Sequence, residues 1–227
     1  MKTIGIIGGM SYESTVEYYK IINEEINKRA GGLHSAKMLI ESYDFAEIEK
    51  LQTEGNWVKL AEILSDSAKK LEKAGADYIA IATNTMHLVA DEVQKSVSIP
   101  LIHIGESAAN YIKYKNIDTV ALLGTIYTMT KPFYKDKLKE HGINVIVPNE
   151  NQQHIINDII FNELCVGIIK EESKQKLNSI IDDCISQGAK AIVLGCTELP
   201  NIIKEAKVEI VDTTKIHSLE IVKRILE

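Results

Sequence analysis

The chain has 227 residues, with 26 Lys plus Arg against 32 Asp plus Glu, 45% hydrophobic residues and 26% charged ones. That mixture excludes a disordered or fibrous chain, and the length allows one large domain or two small ones. The net charge of -6, with no basic run to offset it, excludes a dedicated nucleic-acid or acidic-membrane binder and points to a small-molecule ligand.

The apolar run IGII after Lys2 is too short for an export signal. No stretch approaches the roughly 18 uninterrupted apolar residues of a membrane span, so the expected location is the cytoplasm. Cys165, Cys184 and Cys196 form no CxxC and are odd in number. This argues against a disulfide framework or a zinc site, and no metal is expected.

Short β-like runs alternate with longer helical ones, the pattern of an α/β chain with parallel sheet. TIGII (3–7) reads as the first strand. The segment STVEYYKIINEEINKRA follows as a helix with Val16, Tyr19, Ile22 and Ile26 at helical spacing, stopping at Gly31 and Gly32. AKMLIESY is a strand. Asn56 caps a helix whose apolar face is Trp57, Leu60, Ala61, Leu64, Ala68 and Leu71, with Gly75 beyond its end. YIAIA runs straight into Thr83, Asn84 and Thr85. The second part repeats the order: strand TVALL, a helix from about Tyr127 to His141, strand INVIV, two helices, strand AIVLG, a short helix, strand VEIVD and a closing helix. Pro132 suits the first turn of its helix and Gly142 the exit.

The halves resemble each other. Aligning Gly75 of AGADYIAIATNT with Gly188 of QGAKAIVLGCTE sets Thr83 opposite Cys196, Asn84 opposite Thr197 and Thr85 opposite Glu198. Aligning Gly8 of TIGIIGGMS with Gly124 of TVALLGTIY sets Tyr18 opposite Tyr134. The expectation is two similar α/β lobes, 1–104 plus 209–227 and 105–208, with a cleft between them. Ligands of such sheets bind outside the carboxyl ends of the strands. Gly8–Ser11, Thr83–Thr85, Gly124–Thr128 and Cys196–Glu198 are therefore the candidate lining, and their N–H groups and hydroxyls suit a carboxylate.

Cys196 ends an apolar strand and opens a helical segment, where a lowered thiol pKa is expected. Thr83, its counterpart, is a poor base but can donate a hydrogen bond or relay a proton through water. Two such groups across one carbon are what proton removal from one face and return to the other require. Cys184, with Leu177, Ile180, Ile181 and Ile185, reads as core, and Cys165 does too. His87, about one turn into a helix, weighs towards a hydrogen-bonded structural role, as do His34, His103 and His217. GxGxxG is absent, and none of the four loops carries a Lys for a pyridoxal Schiff base.

GGMSYEST, GGLHSA, TNTMH, LLGTIYTM, FNELCVG and GCTE, in that order from end to end, resemble the aspartate/glutamate racemase family. The likeness is to its branch of broad-specificity or L-aspartate/glutamate-specific racemases with Thr in place of the first cysteine. The resemblance implies two pseudo-symmetric, Rossmann-like α/β domains and an active site in the interdomain cleft. It further implies a homodimer and racemisation of a small amino acid without pyridoxal phosphate, metal or other cofactor. Carried over, Cys196 is one acid/base group and Thr83 stands where the other cysteine would be. Met10 and Ser11 through their backbone, Asn84, Thr85, Thr125, Thr128 and Thr197 are candidates for the α-carboxylate and amino group. Glu198 is a candidate amino partner and Gln52 a candidate for the side-chain end. For each polar residue a capping or turn role is the competing reading. Two further functions stay open: a single-thiol decarboxylase or maleate-type isomerase, and a protein that binds an amino acid or dicarboxylate without turnover.

Overall fold

A computed structural model describes residues 1–227. Its contacts divide the chain into two units, Met1–Ile104 with His217–Glu227, and Gly105–Ile216.

In the first unit, β1 (Thr3–Gly8) leads into α1 (Tyr12–Ala30), then β2 (Lys37–Ser42), α2 (Phe45–Thr53), α3 (Trp57–Lys73) and β3 (Tyr78–Ile81). A 3-10 turn over Thr85–Val89 precedes α4 (Ala90–Lys95) and β4 (Leu101–Ile102). The four strands are parallel in the order β2-β1-β3-β4. Strand alternation divides the apolar side chains between the two sheet faces. Ile7, Ile79 and Ile81 pack with Leu60, Leu64 and Ala68 of α3. Ile4, Ile6 and Ala80 pack with Tyr18, Ile22 and Ile26 of α1 and with Ile221, Val222 and Ile225. A sheet covered on both faces explains why its strands read as near-continuous apolar runs.

Asn56 caps α3 through its side chain, and Gly75, at φ +98, follows the helix end, both as expected. The inward face of α1 differs from expectation. It carries Ser14, Thr15, Tyr18, Ile22 and Ile26, while Val16 and Tyr19 are 57% and 55% exposed.

In the second unit the order is α5 (Ile104–Tyr114), β5 (Thr119–Gly124), α6 (Ile126–Thr130), α7 (Pro132–Glu140), β6 (Asn144–Ile146) and α8 (Glu150–Asn162). A 3-10 turn over Leu164–Val166 leads to α9 (Glu171–Ser186), β7 (Ala191–Gly195), α10 (Leu199–Ile202), β8 (Glu209–Asp212) and α11 (Thr213–Leu226). The sheet is again parallel, in the order β6-β5-β7-β8. Ala121, Leu123, Ile192 and Leu194 bury one face against Ile156, Ile160, Leu177, Ile181 and Cys184.

Two expectations change here. The helix anticipated from Tyr127 to His141 is two, because Lys131 is extended at ψ 152 ahead of Pro132, which opens α7 at its first position. The segment from 209 belongs with the second unit, since Glu209–Asp212 hydrogen-bonds to β7; the chain returns to the first unit at His217, inside α11.

Candidate active site

Both sheets share a strand order in which the first strand has its second neighbour on the opposite side from its first. The switch points therefore lie between β1 and β3, and between β5 and β7, and the carboxyl ends of those strands form the binding crevices of such folds. All four loops singled out from the sequence begin there.

In the first unit the turn after β1 is fitted tightly. Gly9 has φ +81, and a Cβ on it would collide with the Tyr43 backbone. A Cβ on Gly8 would meet Thr15 Oγ1 at 2.6 Å. Thr15 Oγ1 instead accepts from Gly9 N (2.8 Å) and donates to Ser11 O (3.1 Å). Ser11 caps α1 by accepting from Ser14 N, and Ser14 Oγ donates to Ala82 O at 2.8 Å. Ser14 thus binds the loop after β1 to the loop after β3. Neither Ser14 nor Thr15 stood out in the sequence, although both lie in GGMSYEST; the signal was a hydroxyl pair following a double glycine.

Thr83, Asn84 and Thr85 follow β3 and are buried, with Thr83 9% exposed. Backbone His87 N donates to Asn84 O at 3.0 Å, while the His87 ring bonds to Thr83 O at 2.8 Å. Gln52 lies on α2, and its amide donates to Met86 Sδ at 3.1 Å, so its side chain is engaged with the 3-10 turn behind Thr83.

In the second unit, Thr125 caps α6, with its Oγ1 3.4 Å from Thr128 N. The two Thr hydroxyls lie 3.2 Å apart. Thr128 is fully buried, its Cγ2 and Cβ set against the bare faces of Gly195 and Gly124, so packing is its evident duty. Ile126 N donates to Asn157 Oδ1 at 2.9 Å, tying α8 to the start of α6.

Cys196, 6% exposed, follows β7 directly. Its thiol donates to Glu198 Oε2 at 2.9 Å, and Thr197 Oγ1 donates to the same oxygen at 2.8 Å. The expected lowering of the thiol pKa is reversed. Burial first, and then the Glu198 carboxylate, hold Cys196 well above the ordinary thiol range, with Cys165 adding in the same direction. The short α10 begins only at Leu199 and does not compensate for a desolvated thiol beside an anion. Cys184 is buried in the core, raised to about 11 by burial, and Cys165 packs against the same cluster.

The structure therefore gathers the candidates in two sets. Met10, Ser11, Thr83, Asn84 and Thr85 stand at neighbouring strand ends in one unit. Thr125, Thr128, Cys196, Thr197 and Glu198 stand at the equivalent ends in the other. No group of three or more His, Cys, Asp or Glu side chains is placed to hold a metal ion.

The model of the Asp/Glu/hydantoin racemases matches residues 7–220. The chain belongs to this family. Within the Asp/Glu/hydantoin racemases it is 30% identical over 213 residues to the broad-specificity amino-acid racemase RacX of Bacillus subtilis (strain 168), covering 91% of this chain and 90% of that one. A candidate Asp/Glu racemase from Yersinia pestis is 44% identical, with a TM-score of 0.94 over 100% of both chains. An aspartate racemase homologue from Pyrococcus horikoshii OT3 is 39% identical, with a TM-score of 0.86 over 100% of both chains. This family member is accordingly a racemase-like enzyme, an isomerase by class.

Proposed function

We propose that the protein racemises aspartate or glutamate, with tolerance for other amino acids, and needs no cofactor. The observation that carries this reading is the buried Cys196–Glu198 hydrogen bond at the end of β7. A buried thiol beside a carboxylate that can take its proton supports Cys196 as the proton-transferring group. The likeness to a broad-specificity amino-acid racemase of Bacillus, a candidate Asp/Glu racemase of Yersinia and an aspartate racemase homologue of Pyrococcus supports the substrate class.

Thiol and carboxylate share one proton along this contact. In the free enzyme it rests on sulfur. Transfer to Glu198 leaves a thiolate and a neutral acid, a distribution that the ammonium group of a bound amino acid favours when it lies nearer the sulfur than Glu198; in this reading Glu198 is the proton acceptor and not the amino partner. The thiolate then removes the substrate α-proton. The electron pair left on carbon is delocalised into the α-carboxylate, whose developing charge must meet preorganised donors. The N–H groups of the Gly8–Ser11 turn and the hydroxyls of Thr85, Thr125 and Thr197 are the donors assigned to it. Thr83, or a water held by its hydroxyl, returns a proton to the opposite face; solvent then reprotonates the alkoxide or hydroxide left there and takes the extra proton from the Cys196–Glu198 pair, which restores the free enzyme. Because a hydroxyl is a weaker acid/base than a thiol, α-proton exchange with solvent proceeds unequally from the two enantiomers, while kcat/KM for inversion stays equal in both directions because the enantiomers have the same free energy. The cytoplasm and a homodimer complete the reading. No helix is long and apolar enough to cross a membrane, and α1 carries an outward apolar stripe available to a second copy.

Proton NMR of L- and D-aspartate and L- and D-glutamate in deuterated buffer, without added cofactor, tests the proposal. Wild type is expected to exchange and invert the α-position, and Cys196→Ala to lose the reaction by at least about 10³-fold, the scale of a removed acid/base group. Exchange that survives Cys196→Ala, or no exchange by wild type, would overturn it. Loss of carbon dioxide without inversion would install the decarboxylase reading instead.

A further inference from the structure

The side chain of His87 has a defined proton. Ile104 N donates to Nε2 at 3.1 Å, so that nitrogen carries a lone pair, and Nδ1 therefore bears the hydrogen that goes to Thr83 O at 2.8 Å. The ring is 2% exposed. It is wedged against His103, with centroids 4.6 Å apart, and His217, at 5.9 Å. His217 is fixed in turn: Tyr18 Oη donates to its Nδ1 and its Nε2–H donates to Ile102 O, both at 2.7 Å. His87 thus links the peptide of Thr83 to the exit of β4, and its own orientation is fixed by two neighbouring rings. Rotation of this ring would release the Thr83 carbonyl.

We propose that His87 is a positioning residue for Thr83: by holding the Thr83 carbonyl it sets the direction in which the Thr83 hydroxyl points, and hence the efficiency of the enantiomer that Thr83 serves. The inference rests on the racemase reading, in which Thr83 serves one face and Cys196 the other. A side chain that only filled the core would support α-proton exchange from both enantiomers equally. One that aims Thr83 supports one.

Two substitutions separate the bonds. His87→Asn keeps an N–H near the place of Nδ1 and loses the acceptor for Ile104 N. His87→Gln reaches toward Ile104 N and loses the donor to Thr83 O. α-Proton exchange in deuterated buffer is followed from each enantiomer of aspartate and glutamate, with KM and kcat separated, for wild type, Cys196→Ala and both variants. His87→Gln is expected to lower kcat for one enantiomer by about 10- to 100-fold and leave the other, exchanged on the Cys196 side, within about threefold, with KM little changed. His87→Asn is expected to recover most of that loss. Equal losses for both enantiomers, or no loss for either while wild type is active, would overturn this inference and leave the racemase reading standing. Wild type inactive on every amino acid offered, or as active as Cys196→Ala, would remove the racemase reading and this inference with it. Nitrogen-15 shifts of the His87 ring in wild type give a reading that requires no variant: a hydrogen on Nε2 instead of Nδ1 would also overturn it.

Discussion

Glu198 stands two residues beyond Cys196, and one of its oxygens takes hydrogen bonds from both the Cys196 thiol and the Thr197 hydroxyl. Its charge raises the thiol pKa, which by itself hinders a thiolate mechanism; in the proposed role of proton acceptor it would make the same mechanism possible. Glu198→Gln decides between these. Removing the charge lets the thiol pKa fall, so the rise of rate with pH moves to lower pH. If Glu198 receives the proton, kcat for α-proton exchange falls about 10²- to 10⁴-fold, the usual contribution of a placed general base. If it only burdened the thiol, the variant would be faster than wild type near pH 7. A pH–rate profile of both proteins shows which, and a faster variant at neutral pH ends the proton-acceptor role.

At the scale of elements, α1 shows what periodicity cannot choose. Tyr18, Ile22 and Ile26 line one face, while Tyr12, Val16 and Tyr19 line another at spacings of four and three residues. Both satisfy the helical pattern, so the sequence alone assigns Val16 and Tyr19 to the core. The face with Tyr18 is the one that packs against Ile4, Ile6 and Ala80 of the sheet, and there the Tyr18 hydroxyl reaches the His217 ring. Strand ends are far more legible, since buried parallel strands are apolar runs that stop where Gly, Thr or Cys begins; all four candidate loops follow from that. The helix over Ile104–Tyr114 is not, because Ala108 and Ala109, its fully buried small residues, make a weak apolar signal. Nor is the state of Cys196, which depends on a carboxylate turning back onto the sulfur. The outward stripe of α1, with Tyr12 68% exposed, is where the proposed homodimer would bury apolar area. Val16→Glu combined with Tyr19→Glu should convert a dimer to monomer in analytical ultracentrifugation with the circular dichroism of wild type. A double variant that stays dimeric would exclude this helix from the interface.

At the scale of the whole molecule, the histidine cluster joins distant parts of the chain, since Tyr18, Ile102 and His217 lie on α1, β4 and α11. Burial lowers His217 to about 4 and, helped by the neighbouring His103 and His217, holds His87 well below the usual imidazole range. The unfolded chain takes up these protons near pH 6.5, whereas the folded one refuses them until lower pH. Below about 6.5 the unfolded state therefore binds more protons, and stability is lost as pH falls towards the folded-state values. Each such histidine contributes a slope of about 1.4 kcal/mol per pH unit inside its window, so His217 alone accounts for on the order of 3 kcal/mol between pH 6.5 and 4. Glu72, Asp118, Glu163, Glu172 and Glu209, all lowered by their partners, act in the same direction but only near and below the ordinary carboxylate range. The window from pH 6.5 to 5 therefore isolates the histidines. Trp57, the one tryptophan, sits on α3 in the same unit and reports its unfolding by fluorescence. Urea unfolding followed at Trp57 should give a free energy that declines across this window in wild type. In His217→Gln it should be lower at pH 7 but shallower by about 1.4 kcal/mol per pH unit. Parallel slopes in the two proteins would mean that His217 carries a proton in the folded state, and the tautomer that joins Tyr18 Oη to Ile102 O would have to be given up.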